Sequence, residues 1–193
     1  TTIDDALGEA FDKTAKMLGF GFPGGPKIEK YSKKGNPNKF DLPKPIINKG
    51  GCNLSFAGLK TAVLRSKILL KTKKDKYDLA ASFQATVLNI IYKKTKIAIK
   101  DFRKVTNSRS IVVAGGVAAN KEIRRIINKL CNEEDFKPFF PATKLCGDNA
   151  AMIALAGLKK FKKKKFYKLN FSVRPRWPLD ESAKFLKGSG VKL

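Results

Sequence analysis

Apolar and polar residues are arranged along this 193-residue chain in patterns that predict helices and short strands. Alanine, phenylalanine and leucine recur three or four residues apart up to about Leu18, which predicts a first helix capped by Asp4 or Asp5. The sequence GFGFPGGP at 19–26 predicts a turn that ends this helix.

The middle of the chain predicts a loop followed by two helices. Prolines, lysines and glycines indicate a loop-rich insertion at about 27–52. Residues 53–56 predict a short strand and 59–70 a helix. Apolar residues from Tyr77 to about Phe102 recur mostly at helical spacing, which predicts that the longest helix is buried.

The remainder predicts alternating strands and helices. The β-branched run that ends in Gly115-Gly116 predicts a strand and a tight turn, followed by a helix from about 120 to 130. A strand at 136–140, which Pro138 would confine to the edge of a sheet, precedes a helix at 146–158. This order and the chain length indicate one compact α/β domain.

A net charge of +25 changes the expected partners of such a domain. A surface this basic attracts phosphate backbones, so nucleic acid is the natural partner. A solvated, lysine-biased surface would explain part of the same charge. The basic tail at about 159–193 contains the run 162–165 beside aromatic residues, which fits either an RNA contact or a solvated tail.

Cysteine, histidine and hydropathy exclude several classes of protein. The three cysteines are far apart and form no CxxC pair, which argues against a disulfide framework and a zinc knuckle. There is no histidine, so any chemistry must use carboxylates, backbone amides or lysines. With no apolar stretch near the roughly 18 residues of a membrane helix, we expect a soluble, cytoplasmic protein with no membrane partner.

Two glycine turns are candidates for ligand binding. In the segment AGGVAAN at 114–120, Gly115 and Gly116 allow close approach and the following helix offers free amides to a phosphate. Gly24 and Gly25 in the PGGP turn could likewise approach a ligand. Both segments are also explained as turns, and for an isolated pair such as Gly115-Gly116 a turn that needs glycine for its backbone conformation is the simpler explanation.

Acidic residues give a second, weaker set of candidates. Asp5, Glu9 and Asp12 form an acidic ridge on the first helix that could bind ribose hydroxyls or a metal, or pair with lysines such as Lys16. Asp148 stands where a helix begins, and an aspartate there is most simply an N-terminal cap.

Six segments together resemble the TsaD family in order and spacing, over nearly the whole chain. They are DDALGEAFDKTAKMLGFGFPGGP (4–26), LSFAGLKTAV (54–63), AASFQ (80–84), VVAGGVAANKEIR (112–124), CGDNAAMIA (146–154) and RPRWPL (174–179). The resemblance implies an actin-like (ASKHA, RNase H-like) fold with a mixed sheet flanked by helices. Residues 1–193 would be its single C-terminal lobe.

The resemblance also implies a reaction. TsaD-like proteins transfer the threonylcarbamoyl group from threonylcarbamoyl-adenylate to N6 of adenosine 37 in tRNAs that read ANN codons. The implied partners are tRNA, an N-terminal lobe, and TsaB- and TsaE-like proteins. The implied substrate-binding residues are Asp12, Gly25 and Asn120, with Gly24, Gly115 and Gly116 as additional contacts.

The implied cofactor is one divalent metal, iron or zinc, with Asp148 as a ligand. The family's other two ligands are histidines of an HxxxH motif in the N-terminal lobe, which this sequence does not contain. We therefore expect the lobe alone to be inactive and to hold no catalytic residue of its own. Gly147, Ala150 and Ala57 replace the threonine, glycine and serine that are usual in the family.

Two other functions remain as alternatives. A non-catalytic basic module that binds tRNA or a partner, such as a TsaB-like paralogue, would be expected to lack Asn120 and Asp148, and both are present. The family's former label, O-sialoglycoprotein endopeptidase or glycoprotease, would require a nucleophile, a base or a complete metal triad, and the sequence shows none of these.

Overall fold

A computed structural model describes residues 1–173, which form a helical layer beside a small parallel sheet. Three short 3₁₀ turns at 67–69, 116–119 and 143–145 complete the regular structure of these residues. The elements are α1 (Leu7–Leu18), α2 (Gly24–Ser32), α3 (Ala57–Ser66), α4 (Lys73–Phe102), β1 (Ser110–Val112), α5 (Lys121–Glu133), β2 (Lys137–Phe139) and α6 (Ala150–Lys162).

The first helix ends as predicted but begins later. Gly19 adopts a left-handed conformation, with φ of 74°, and its amide caps the last turn of α1. The predicted cap by Asp4 or Asp5 is wrong, because Ala6 occupies the N-cap position. Asp4 instead accepts hydrogen bonds from the amides of Phe56 and Ala57, at 2.7 and 3.2 Å, and so caps α3 from a distance in sequence.

This long-range cap explains why the predicted strand at 53–56 does not form. Only a single bridge joins Thr2 to Leu54, since the next amides are turned toward Asp4 to start α3. The helix predicted at 59–70 is α3, which begins earlier and gives way to a 3₁₀ turn at 67–69.

The helix α2 was not predicted, so the loop-rich segment begins later than residue 27, and it ends later than residue 52. Pro26 lies in the first turn of α2, where its missing N–H is not needed for the helix. The irregular segment is 33–56, held down partly by the buried Lys94 of α4. Its ammonium donates to the carbonyls of Lys49 and Gly51, at 2.7 and 3.2 Å.

The helix α4 confirms the prediction of a long, buried helix and forms the centre of the core. Phe83 is fully buried and packs edge-to-face on Phe11 of α1, with ring centroids 5.3 Å apart. Truncating such a residue to alanine typically costs about 3–5 kcal/mol. The helical layer is thus a well-packed support for the segments that follow.

A buried charged group anchors the start of α4 to the loop after α2. Asp78 accepts a hydrogen bond from the Asn36 amide at 2.7 Å and from the ammonium groups of Lys39 and Lys74, each at 3.1 Å. Burial by itself raises the pKa of Asp78, but these three donors outweigh it and hold the pKa below its ordinary value.

The predicted strand–turn–helix–strand order is confirmed, although the sheet is small. β1 and β2 pair in parallel, with Ile111 opposite Pro138, and α5 forms the connection between them. The expected mixed sheet is not present in residues 1–173. A helical crossover returns β2 in the same direction as β1, and the residues of the other predicted strand lead into α3 instead of pairing.

The helix α6 begins later than the predicted 146–158 because Asn149, not Asp148, caps it. The Asn149 side chain accepts from the Met152 amide at 3.0 Å. Every residue of α6 is exposed, including Ile153, Leu155 and Leu158. No helix within residues 1–173 is long and apolar enough to cross a membrane. RPRWPL and the end of the basic tail lie outside the described residues.

Candidate functional site

The first part of the candidate site is the contact between α1 and the start of α2. The Asp12 carboxylate accepts a hydrogen bond from the Gly24 amide at 2.7 Å. A Cβ on Gly24 would lie 2.4 Å from the Asp12 Cα, so this contact requires glycine. A Cβ on Gly25 would meet nothing within 4 Å. Packing therefore explains Gly24 but gives no reason for glycine at position 25.

The glycine turn after β1 lies against the same face of α1. Gly115 has φ of 88°, and the space beside Gly115 and Gly116 is open. Val117 approaches to 3.8 Å of the position that a Cβ on Gly8 would take. Because Gly8 and Asp12 are one helical turn apart, they share one face of α1. The turn and Asp12 are thereby brought to the same side of the helix.

Asn120 joins this corner through an amide group with one unused end. Its side-chain oxygen caps α5 by accepting from the amides of Glu122 and Ile123, at 3.0 and 3.1 Å. Its side-chain nitrogen is buried and has no hydrogen-bond partner within residues 1–173. A buried donor without a partner costs stability. The two hydrogen bonds of the oxygen thus fix the orientation of the amide group, and its nitrogen is left as a buried donor without an acceptor in the described residues.

A contact between Glu29 of α2 and the first turn of α5 shows that one prediction about the backbone amides there is wrong. Its carboxylate accepts from the Lys121 amide at 3.1 Å, and Asn120 uses the next two amides. The first turn of α5 therefore does not offer the free amides that we predicted. The available donors are the amides of Gly115 and Gly116, which have no acceptor in the part of the chain that the structure describes.

Arg124, which the sequence reasoning did not single out, ties the turn to the segment before α6. Its guanidinium donates to the carbonyls of Ala118 and Pro141, at 2.6 and 2.7 Å, and lies 3.3 Å from the Cys146 sulfur. It also lies over the ring of Phe140, 5.0 Å from the centroid. The sequence feature that points to Arg124 is its position in the segment VVAGGVAANKEIR, four residues after Asn120.

A sequence profile of TsaD, described as tRNA N6-adenosine threonylcarbamoyltransferase, matches residues 1–155. The chain belongs to the TsaD family. A tRNA N6-adenosine threonylcarbamoyltransferase of Pelagibacter ubique (strain HTCC1062) is 64% identical over 195 residues, which cover 100% of this chain and 55% of the relative. One of the same name from Rickettsia rickettsii (strain Sheila Smith) is 50% identical over 186 residues, 94% of this chain and 54% of the relative.

A third relative of that name, from Rickettsia bellii (strain OSU 85-389), is 51% identical over 185 residues, again 94% of this chain and 54% of the relative. The chain thus spans about half the length of the curated relatives it matches. Any residue that the other half of a TsaD protein brings to the site lies outside the structure described here.

Asp148, the TsaD family's implied metal ligand, lies two residues beyond the segment that Arg124 anchors. It is exposed, and it makes no hydrogen bond or ion pair within residues 1–173. No three His, Cys, Asp or Glu side chains gather to form a metal site in that range. A single carboxylate does not hold iron or zinc. The described residues alone therefore do not fit the metal.

The three residues of the predicted acidic ridge have different partners. Glu9 and Asp5 pair with Lys13, at 2.5 and 3.7 Å, and Asp5 pairs with Lys60 at 2.5 Å. Only Asp12 faces the glycine turns. The structure thus brings Asp12, Gly25 and Asn120 to one corner of the fold and leaves Asp5 and Glu9 in ion pairs.

Proposed function

We propose that this chain is the C-terminal lobe of a transferase of the TsaD family. It would move the threonylcarbamoyl group from threonylcarbamoyl-adenylate to N6 of adenosine 37 in tRNAs that read ANN codons. The observation that carries the proposal is the grouping of one carboxylate acceptor, an unpaired amide donor and two free backbone donors where α1, α2 and the start of α5 meet.

The adenylate has the groups that this corner recognises. Its ribose hydroxyls are donors for the carboxylate of Asp12, one oxygen of which is already fixed by Gly24. Its phosphate is an acceptor for the amides of Gly115 and Gly116. Asn120 donates from its side-chain nitrogen, and the bare surface at Gly25 lets the ligand approach the backbone. Positioning the acyl group beside the tRNA amine then supplies much of the rate.

An actin-like (ASKHA) arrangement of two lobes accounts for the open sides of this chain. The exposed apolar residues of α6, such as Ile153 and Leu155, need a covering surface. We propose that the other half of the protein provides it and closes the cleft over the adenylate. TsaB- and TsaE-like proteins are the further partners that this assignment implies.

The metal, iron or zinc, would be shared between the halves. Asp148 would donate one carboxylate oxygen, and the remaining ligands would come from outside this chain. Such an ion would supply a Lewis acid beside the acyl group when bound. The residues of this chain act independently of it, since they bind the adenylate and orient its acyl end.

A chimera tests the proposed function. This chain replaces the matching 195 residues of the Pelagibacter ubique relative, and the purified chimera receives threonylcarbamoyl-adenylate and a tRNA that reads an ANN codon. Nucleoside mass spectrometry should detect threonylcarbamoyladenosine with the chimera and none with this chain alone. The unmodified relative is the positive control.

The same experiment decides the alternative, a non-catalytic basic module, which the net charge of +25 favours. A folded chimera that binds tRNA but forms no modified adenosine, beside an active control, would show that this chain cannot serve as the catalytic lobe. The transferase assignment would then be wrong.

A further inference from the structure

A cleft lined by aromatic rings and lysines opens where α1 and α2 end and α4 begins. Its volume of about 440 Å³ is in the range of small-molecule pockets. The rings of Tyr31 and Tyr77 are parallel within 9°, with centroids 5.3 Å apart, and Phe20 lies 4.4 Å from Tyr31. All three side chains are half-buried. We call this the aromatic–lysine cleft.

The lysines around this cleft have no acidic partners. None of the five lies within ion-pair distance of a carboxylate in the described part of the chain. Two stand near the rings, with ammonium groups 5.8 Å from the Tyr31 centroid and 5.9 Å from the Tyr77 centroid. The five exposed lysines are Lys30, Lys34, Lys71, Lys73 and Lys76.

Folding stability does not explain three of these charges. Lys71, Lys73 and Lys76 flank the first turns of α4, which Thr72 caps. The N-terminus of a helix carries a partial positive charge and favours acidic residues. Three cations at this position therefore repel the helix dipole and one another. Asp75 and Asp78 in the same turns are paired with Lys39 and Lys74, so they do not pair with these three charges, and the mouth of the cleft keeps a local excess of positive charge.

We propose that the aromatic–lysine cleft binds an unpaired nucleotide of RNA together with its flanking phosphates. The base stacks on the aromatic wall, and the lysines neutralise the backbone. An acidic peptide would use the lysines but not the ring faces, whereas an unpaired nucleotide uses both. That the RNA is tRNA rests on the proposed function; binding of an unpaired nucleotide does not.

The helix α1 connects this cleft to the candidate adenylate site. Asp12 and Leu18 are six residues apart, which is about 9 Å along the helix axis. RNA held in the cleft therefore keeps its neighbouring nucleotides close to the corner formed by Asp12 and Gly25. The cleft would position the RNA, and the adenylate would occupy the glycine turns.

The first test titrates the 193-residue chain with a fluorescein-labelled decauridine and follows fluorescence anisotropy. Tyr77→Ala should weaken binding about 5- to 150-fold because it removes a stacking surface. Tyr77→Phe keeps the ring and should change affinity by less than about twofold. Thermal melting of each variant shows that it is folded.

The second test does not alter the aromatic packing and uses a control on the same helix. Lys73→Gln/Lys76→Gln should lower the dependence of log K on log salt concentration by about 1.4, since each phosphate contact in single strands contributes about 0.7. The matched variant Lys93→Gln/Lys100→Gln removes equal charge from exposed positions of α4. Lys93 lies about 26 Å along the axis from Lys76, so this variant should leave the slope nearly unchanged.

Three results would overturn the proposal. Equal loss of slope in both lysine variants would show that net charge, and not the cleft, determines binding. Unchanged affinity in Tyr77→Ala would exclude stacking. If polyglutamate displaces decauridine, and if Tyr77→Ala also weakens the binding of polyglutamate, the partner is an acidic protein. An inactive chimera with intact RNA binding would refute the proposed function alone.

Discussion

The two ends of the Asn120 side chain have different roles, and two substitutions separate them. Its oxygen caps α5 through the amides of Glu122 and Ile123, while its nitrogen is buried without a partner in the described residues. Asn120→Asp keeps the accepting oxygen and removes the donor. Asn120→Ala removes both.

The expected effects on stability and binding therefore differ. Loss of an N-cap costs about 0.5–2 kcal/mol, which lowers the melting temperature by roughly 2–4 °C per kcal/mol for a chain of this size. Asn120→Ala should show this loss. Asn120→Asp retains the cap, and its charge near the N-terminus of α5 contributes a further stabilisation of about 0.3–1 kcal/mol. The second carboxylate oxygen is buried without a donor in the described residues, which opposes this gain, so Asn120→Asp should melt near the wild-type temperature and above Asn120→Ala.

In Asn120→Asp, the affinity for AMP should fall although the fold stays stable. Loss of one hydrogen bond costs about 0.5–1.5 kcal/mol, and a carboxylate beside a phosphate adds repulsion, so the affinity for AMP should fall about tenfold or more. Isothermal titration of the chimera with AMP, together with thermal melting of this chain, measures both quantities. Wild-type AMP affinity in a stable Asn120→Asp variant would refute the assignment of Asn120 as a ligand contact.

The remaining predictions concern glycine packing and acid stability. Gly25→Ala should fold normally and lower transfer by the chimera. Gly24→Ala should lower the free energy of unfolding in urea by about 1–3 kcal/mol, because its Cβ would meet Asp12 at 2.4 Å. Equal stability of the two variants would contradict the packing argument. The pKa of Asp78 is lowered by folding, so its stabilisation is present above the unfolded pKa of about 3.9 and is lost as the pH falls through the folded value. Unfolding free energies of wild type and Asp78→Asn should therefore converge below about pH 4, and a constant difference down to low pH would exclude this linkage.

Local patterns predicted the elements whose causes are local. The long apolar periodicity of α4 and the β-branched run before Gly115 are properties of consecutive residues, and both were found. The helix α2 was missed because its first residues, Gly24 to Pro26, have the composition of a turn. Gly24 is required by contact with α1, which no local pattern contains.

In the candidate site, too, the sequence indicated some residues, while the role of others became clear only in the fold. Asn120 was identified on the resemblance to the TsaD family, but its capping role and its unpaired nitrogen required the fold. Glu29 and Arg124 look like solvated charges in the sequence. Both instead bind backbone groups far along the chain, and those contacts hold α2, the glycine turn and the segment before Asp148 together.

An unpaired buried atom does not by itself mark a ligand site, and the comparison with Gln84 shows why Asn120 does. The side-chain oxygens of Thr14 and Gln84 are also buried without partners in the described residues, but both lie in the helical layer. Asn120 differs because it directly follows the glycine turn with its free backbone amides, and because the next amide, of Lys121, binds Glu29 of α2, the helix whose first residue Asp12 contacts. Gln84→Met should therefore stabilise the chain by about 1 kcal/mol or more with unchanged AMP affinity. The unpaired nitrogen of Asn120, by contrast, has a cost in folding that a ligand accepting a hydrogen bond from it would recover.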